Sequence, residues 1–97
     1  MKNLTVEEIK KVVAKIAPKY NLKKVILFGS RATGKNRDDS DIDLIVEFET
    51  YAVSLVKIIS LKYKLEEIFN VSVDIVHGPV EADDILEIDK EVEIYAA

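Results

Sequence analysis

Apolar residues recur at helical spacing near the start of the chain, at Val6, Ile9, Val12, Val13 and Ile16, which predicts an amphipathic helix. Thr5-Val6-Glu7-Glu8 reads as a capping box, and Leu4 and Ile9 occupy the positions of a hydrophobic staple. Pro18 is expected to end or loosen this helix. Val25-Ile26-Leu27-Phe28 is a short continuous apolar run before a glycine, the pattern of a buried strand. The polar stretch from Gly29 to Asp39 predicts a loop with room for one helical turn. From Asp41 to Phe48 the pattern alternates. Ile42, Leu44, Val46 and Phe48 share one face, and Asp41, Asp43, Ile45 and Glu47 the other, as in a half-buried strand.

Val53 to Phe69 reads as a long second helix with Asn70 as its C′ residue. Its apolar positions spread over an arc of about 240°, wider than one core-facing side needs. Val71 to Val76 predicts a third strand, with Val71, Val73 and Ile75 inward and Ser72 and Asp74 on the opposite face. A turn at His77-Gly78-Pro79, a short helix over Asp83–Ile88 and a last edge strand over Val92–Tyr95 complete the order. The fold class is α+β: helices packed on one face of a small sheet. No linker or internal repeat divides residues 1–97, so a single domain is expected.

Composition narrows the function classes. Of the 97 residues, 48% are hydrophobic and 33% charged, as in a globular protein. The absence of cysteine excludes a disulfide framework, a thiolate metal site and a cysteine nucleophile. No apolar run approaches the roughly 18 residues of a membrane span. The opening MKNLTVEEIKK has no apolar secretory segment, so a cytoplasmic location is expected. Net charge is -4. Residues 1–37 carry ten Lys/Arg against two Glu, while residues 38–97 carry four against sixteen Asp/Glu. Solvated helix faces account for much of this, with the basic first third suited to meeting an anion. The acidic total argues against nucleic acid as a direct partner.

The chemistry concentrates in LFGSRATGKNRDDSDIDLIVEF, residues 27–48. Gly29 to Lys35 matches the phosphate-loop spacing G-x-x-x-x-G-K, but Asn36 stands where Ser or Thr should hold magnesium, and a strand is expected where a helix should follow. The alternation of Asp39, Asp41 and Asp43 suggests a calcium loop, but Leu44 replaces its turn glycine and Thr50 its closing Glu. The reading that survives is a strand-turn-strand site. Asp41 and Asp43 lie at i and i+2 of one strand, so their side chains point the same way about 6.5–7 Å apart. Such a pair suits two magnesium ions about 3.5–4 Å apart. Gly29 would let the backbone approach a phosphate, and Ser30 would add a hydroxyl donor. Asp74 supplies a third carboxylate if its strand adjoins the second. Aspartate is depleted in strands, and a cluster on one face repels itself without a cation.

Gly29-Ser30, ten residues, then Asp41-Ile42-Asp43 resembles the signature of the DNA polymerase β nucleotidyltransferase superfamily. FGSRATG with DSDIDL is similar to its minimal nucleotidyltransferase (MNT) branch. The resemblance implies a sheet-and-helix core with a mixed sheet that binds ATP or another NTP with two Mg2+ ions. It implies that Gly29, Ser30 and Arg31 bind the nucleotide. It further implies that Asp41, Asp43 and Asp74 hold the metals and are catalytic, with Asp74 helping to activate the acceptor hydroxyl. Members of this branch often act as antitoxins beside a HEPN-type ribonuclease toxin, some by transferring AMP to a tyrosine of the toxin. That expectation competes with a module that neutralises its partner by contact alone, with a vestigial nucleotide site and the wide apolar arc of the second helix as its surface. A tRNA or antibiotic nucleotidyltransferase fits less well, since such acceptors usually need a second domain. A homo-oligomer stays open. Lys35 and Arg37 read as solvated loop charges, His77 as a turn residue, and Tyr20, Tyr51, Tyr63 and Tyr95 as packing residues.

Overall fold

The computed structural model describes residues 4–34, 40–50, 52–78 and 91–97. The elements run α1 (Val6–Tyr20), β1 (Leu22–Phe28), α2 (Ser30–Thr33), β2 (Ile42–Phe48), α3 (Leu55–Phe69), β3 (Val73–His77) and β4 (Val92–Ala96). The four strands form one mixed sheet in the order β3-β2-β1-β4. β1 pairs antiparallel with β2 and β4, and β2 pairs parallel with β3. Parallel neighbours need a long crossover, and α3 is that crossover. The expected short helix over 83–88, Lys35, Arg37 and Tyr51 lie outside the described residues.

Local sequence signals set the helix ends. Thr5 Oγ1 accepts from the Glu8 N–H, and Glu8 Oε1 accepts from the Thr5 N–H, so the capping box forms. Asn21 and Asn70 close α1 and α3 in the left-handed region, φ 56° and 58°, a conformation asparagine tolerates. Pro18 sits inside α1 rather than ending it. It falls in the last turn on the exposed side, while Ile16 and Ala17 stay buried and the Asn21 N–H returns to the Ala17 carbonyl. Packing and the cap carry the helix past the missing donor. β1 also starts three residues before the apolar run, at Leu22. Lys23 stays exposed there, and Lys24 pairs with Glu93 of β4 at 3.5 Å.

α1 and α3 pack on one face of the sheet, joined at their flanks by Tyr20 Oη and Ser60 Oγ, 3.3 Å apart. Between helices and sheet lie Ile9, Val13, Leu61 and Leu65 against Val25, Leu27, Ile42, Leu44, Val46 and Val73, all fully buried. Asp43 therefore points to the opposite face of β2. Ile45 shares that face but is only 3% exposed. The backbone at Gly78 runs against Ile45 and Glu47 so closely that an added Cβ would lie 3.0 Å from each side chain.

The outer edge of β3 is covered by side chains. The Val73 N–H donates to Glu66 Oε2 at 3.0 Å, and Lys62 Nζ donates to the Val73 carbonyl at 2.6 Å. Lys62 and Glu66 also pair with each other at 2.9 Å. One helical i,i+4 pair thus satisfies both backbone groups of a residue that has no strand beyond it among the described residues. The Lys62 hydrogen bond, then the Val73 N–H, hold Glu66 below its ordinary value of 4.5. A lowered carboxylate contributes stability above its unfolded value and loses it as pH falls through its folded value. Glu66→Gln should therefore lower the urea midpoint at neutral pH, and the gap to the native protein should close as pH falls below 4.5. A gap of constant size through the acid limb would show that the clasp does not act through the Glu66 charge.

Candidate active site

Three strand ends meet at one end of the sheet: the C-terminus of β1 and the N-termini of β2 and β3. Phe28 is opposite Asp43, and Asp43 is opposite Asp74. In a parallel pair, residues in register point to the same face, and adjacent strands lie about 4.8 Å apart. The sheet thus places the Asp43 and Asp74 side chains together, as the sequence required only if the third strand adjoined the second. Asp41 is exposed one residue before β2, Asp43 is half-buried, and Asp74 is exposed.

Burial first, then the charges of Asp74 and Asp41, then a hydrogen bond shared with Asp74 push Asp43 above its ordinary value of 3.8. Negative groups held this close favour a bound cation. The donor set is hard oxygen and negative, the chemistry magnesium selects. Among the described residues, no group of three or more His, Asp or Glu side chains is already converged on one metal position. Magnesium needs no such cage, since it keeps waters and substrate phosphates beside one or two carboxylates. The residues fit the ion on this count.

Gly29 completes the site. It adopts φ 77° and ψ -157°, a region essentially confined to glycine. A Cβ at this position would collide with Asp43 Oδ2. The turn thus brings bare backbone against the carboxylate, leaving a cradle that any side chain would fill. Ser30 begins α2, whose Ala32 is buried in the core and whose last turn closes on Gly34 at φ 79°. The two glycines of the phosphate-loop spacing therefore flank a four-residue helix, not the cradle of a phosphate loop.

Arg31 turns inward. It is 4% exposed, and its Nε and Nη2 both donate to the Ser40 carbonyl, at 3.1 and 2.8 Å. Sequence reasoning missed this role, because nothing in a loop arginine signals that it turns inward. His77 ends β3 away from the carboxylates, its ring edge-on to Phe48 at 5.6 Å.

The sequence pattern of the "Polymerase beta, Nucleotidyltransferase" family matches residues 7–94. The chain belongs to that family. Among its relatives, the protein adenylyltransferase MntA of Thermococcus cleftensis is 34% identical over 80 residues, covering 78% of this chain and 80% of that protein. A candidate protein adenylyltransferase of Methanocaldococcus jannaschii is 38% identical over 72 residues, covering 74% and 76%. The same fold occurs in a toxin–antitoxin crystal structure with AMP-PNP, at TM-score 0.72 and 19% identity over 91% of this chain and 73% of that one. It occurs again in a tri-AMPylated Shewanella oneidensis HEPN toxin in complex with its MNT antitoxin, at TM-score 0.68 and 16% identity over 96% and 74%. The α+β nucleotidyltransferase architecture, with helices on one face of a mixed sheet, is thus this chain's own. No helix among the described residues is long and apolar enough to cross a membrane.

The geometry of this strand end carries two predictions. Gly29→Ala should destabilise the protein by about 1–3 kcal/mol, the strain of a side chain in this backbone region, as read from urea unfolding; an unchanged midpoint would mean that the turn relaxes freely. Because Asp43 holds its proton more tightly folded than unfolded, its ionisation works against the fold once pH exceeds 3.8. Asp43→Asn should therefore raise the melting temperature at pH 7 in metal-free buffer, with the gain vanishing below pH 3.8. A lower melting temperature at pH 7 would contradict the repulsion.

Proposed function

We propose that this chain is a protein adenylyltransferase that moves AMP from ATP onto a hydroxyl of a protein partner, and that the partner is a HEPN-type toxin it holds in check. The observation that carries this reading is the meeting of Gly29, Asp43 and Asp74 at one end of the sheet, in a chain of this family. The adenylyltransferase names of relatives 34% and 38% identical support the chemistry. The AMPylated toxin bound to a protein of this fold supports the acceptor class.

In the proposed reaction the acceptor oxygen attacks the α-phosphorus, the bond to the β-phosphate oxygen breaks, and pyrophosphate leaves. Asp41 and Asp43 would hold two magnesium ions, with Asp74 sharing one of them. Bound there, magnesium supplies a lowered pKa at the attacking hydroxyl and neutralises charge on the triphosphate. Asp74 is exposed and in register with Asp43. It is thereby suited to take the acceptor's proton. Gly29 leaves the triphosphate a close approach to backbone, and Ser30 offers a hydroxyl beside it. Catalysis of this kind is almost entirely positioning and charge, which a small rigid sheet end provides.

A second reading has its own observation. On α3, Leu55, Val56 and Tyr63 are 70%, 76% and 62% exposed. Leu61 and Leu65 instead face the core, so the wide apolar arc does leave a surplus. Apolar exposure of this kind suits contact with a partner, and neutralisation by contact alone would need no chemistry.

The two readings separate in one assay: purified protein, magnesium and α-labelled ATP, with lysate of the source organism as acceptor pool. The adenylyltransferase reading expects a labelled protein band that Asp43→Asn reduces to background. Label that survives the substitution, or no protein label from the native chain, would overturn it and leave contact as the mode of action.

A further inference from the structure

Arg31 is the one buried charged residue among the described residues. It lies two positions after Gly29, on a short helix pinned by the buried Ala32. Its guanidinium reaches nine residues ahead and places two N–H groups on one carbonyl, that of Ser40. Ser40 directly precedes Asp41, and Asp43 follows three residues later. The contact therefore ties the Gly29-Ser30 turn to the start of β2. A rigid planar fork does this where a lysine ammonium, a point donor on a flexible stem, does not. The guanidinium thus reaches the carboxylate-bearing strand through a backbone carbonyl.

We infer that Arg31 is a positioning residue: by holding the Ser40 carbonyl it fixes Asp41 and the first residues of β2 relative to the Gly29-Ser30 turn, rather than meeting the nucleotide. The inference rests on the reading of Asp41 and Asp43 as the metal-holding pair only for its effect on catalysis. Its structural half stands without that reading. Misplacing reacting groups by about 1 Å can cost 10²-fold in rate, so a clamp one residue from a metal-holding carboxylate has consequences out of proportion to its distance from the chemistry.

The test uses Arg31→Lys, which keeps the charge, and Arg31→Gln, which keeps most of the stem. The first readout is amide hydrogen exchange on the whole chain, without metal or nucleotide. Both variants should speed exchange at residues 41–43 by roughly 10- to 100-fold, the scale of a lost charge-assisted hydrogen bond, and leave the middle of α3 unchanged. The second readout is transfer from ATP. Both variants should lower kcat by about 10- to 100-fold and raise the Mg2+ concentration for half-activity, as outer-shell partners of metal ligands do, with KM for ATP within about twofold.

Unchanged exchange at residues 41–43 would overturn the proposal. So would a tenfold rise in KM for ATP with kcat and magnesium dependence intact, the signature of a phosphate ligand. Loss of the folded state in both variants would overturn it too, making Arg31 a general stability residue. If the native chain transfers nothing, the adenylyltransferase reading fails, and the exchange experiment still decides the clamp.

Discussion

The register of β2 against β3 is the constraint on which the site depends. Because Asp43 pairs with Asp74 on a parallel neighbour, two carboxylates stand at one height on one face, about a strand spacing apart. A slip of one residue would turn Asp74 to the core side and bury a charge among leucines. The buried Ile42 and Val73, themselves in register, hold the pairing where it is. The Lys62–Glu66 clasp on Val73 fixes β3 from the other side. The hydrophobic core thus does more than stabilise the fold: it forces together two groups that repel.

That repulsion links stability to function. A divalent cation bound between Asp43 and Asp74 would relieve it. Sites that bind strongly charged ligands often carry this kind of frustration, with the surrounding structure supplying what the site lacks. Here the compensation is visible in a capping box at Thr5, two left-handed asparagine caps and a core that reaches from α1 through the sheet to α3. The strained turn at Gly29 belongs to the same arrangement, since only a residue without a Cβ leaves Asp43 its place.

Much of this was legible in the sequence because its signals are local. Thr5 and Glu8 announce a helix start within four residues, Asn70 a helix end, and the alternation from Ile42 to Phe48 a strand with one buried face. The spacing from Gly29-Ser30 to Asp41 and Asp43 specified the family. What the sequence did not reveal depends on distant neighbours. Pro18 stays helical because Ile16 and Ala17 are anchored and Asn21 supplies a cap. Leu22 to Lys24 become strand because β4 offers Glu93 and a backbone to pair with. Ile45 is buried on the side the alternation assigned to polar residues, because the chain turns across it at Gly78. Arg31 turns inward onto the Ser40 carbonyl, a contact that no linear pattern could foretell. The surplus apolar arc of α3 was correctly sized, yet which positions it exposes, Leu55 and Val56 rather than Leu61 and Leu65, was decided by where the helix meets the sheet.

The central claim is that the carboxylates of β2 and β3 form a cation site shared with a nucleotide. Its most direct test is a crystal structure of the chain with Mn2+ and AMP-PNP, recorded at a wavelength where manganese scatters anomalously. The account predicts two anomalous peaks about 3.5–4 Å apart, between the triphosphate and the Asp41–Asp43 pair, with Asp74 beside one of them. A nucleotide bound at Gly29-Ser30 with no metal at Asp43, or metal bound elsewhere on the sheet, would contradict it.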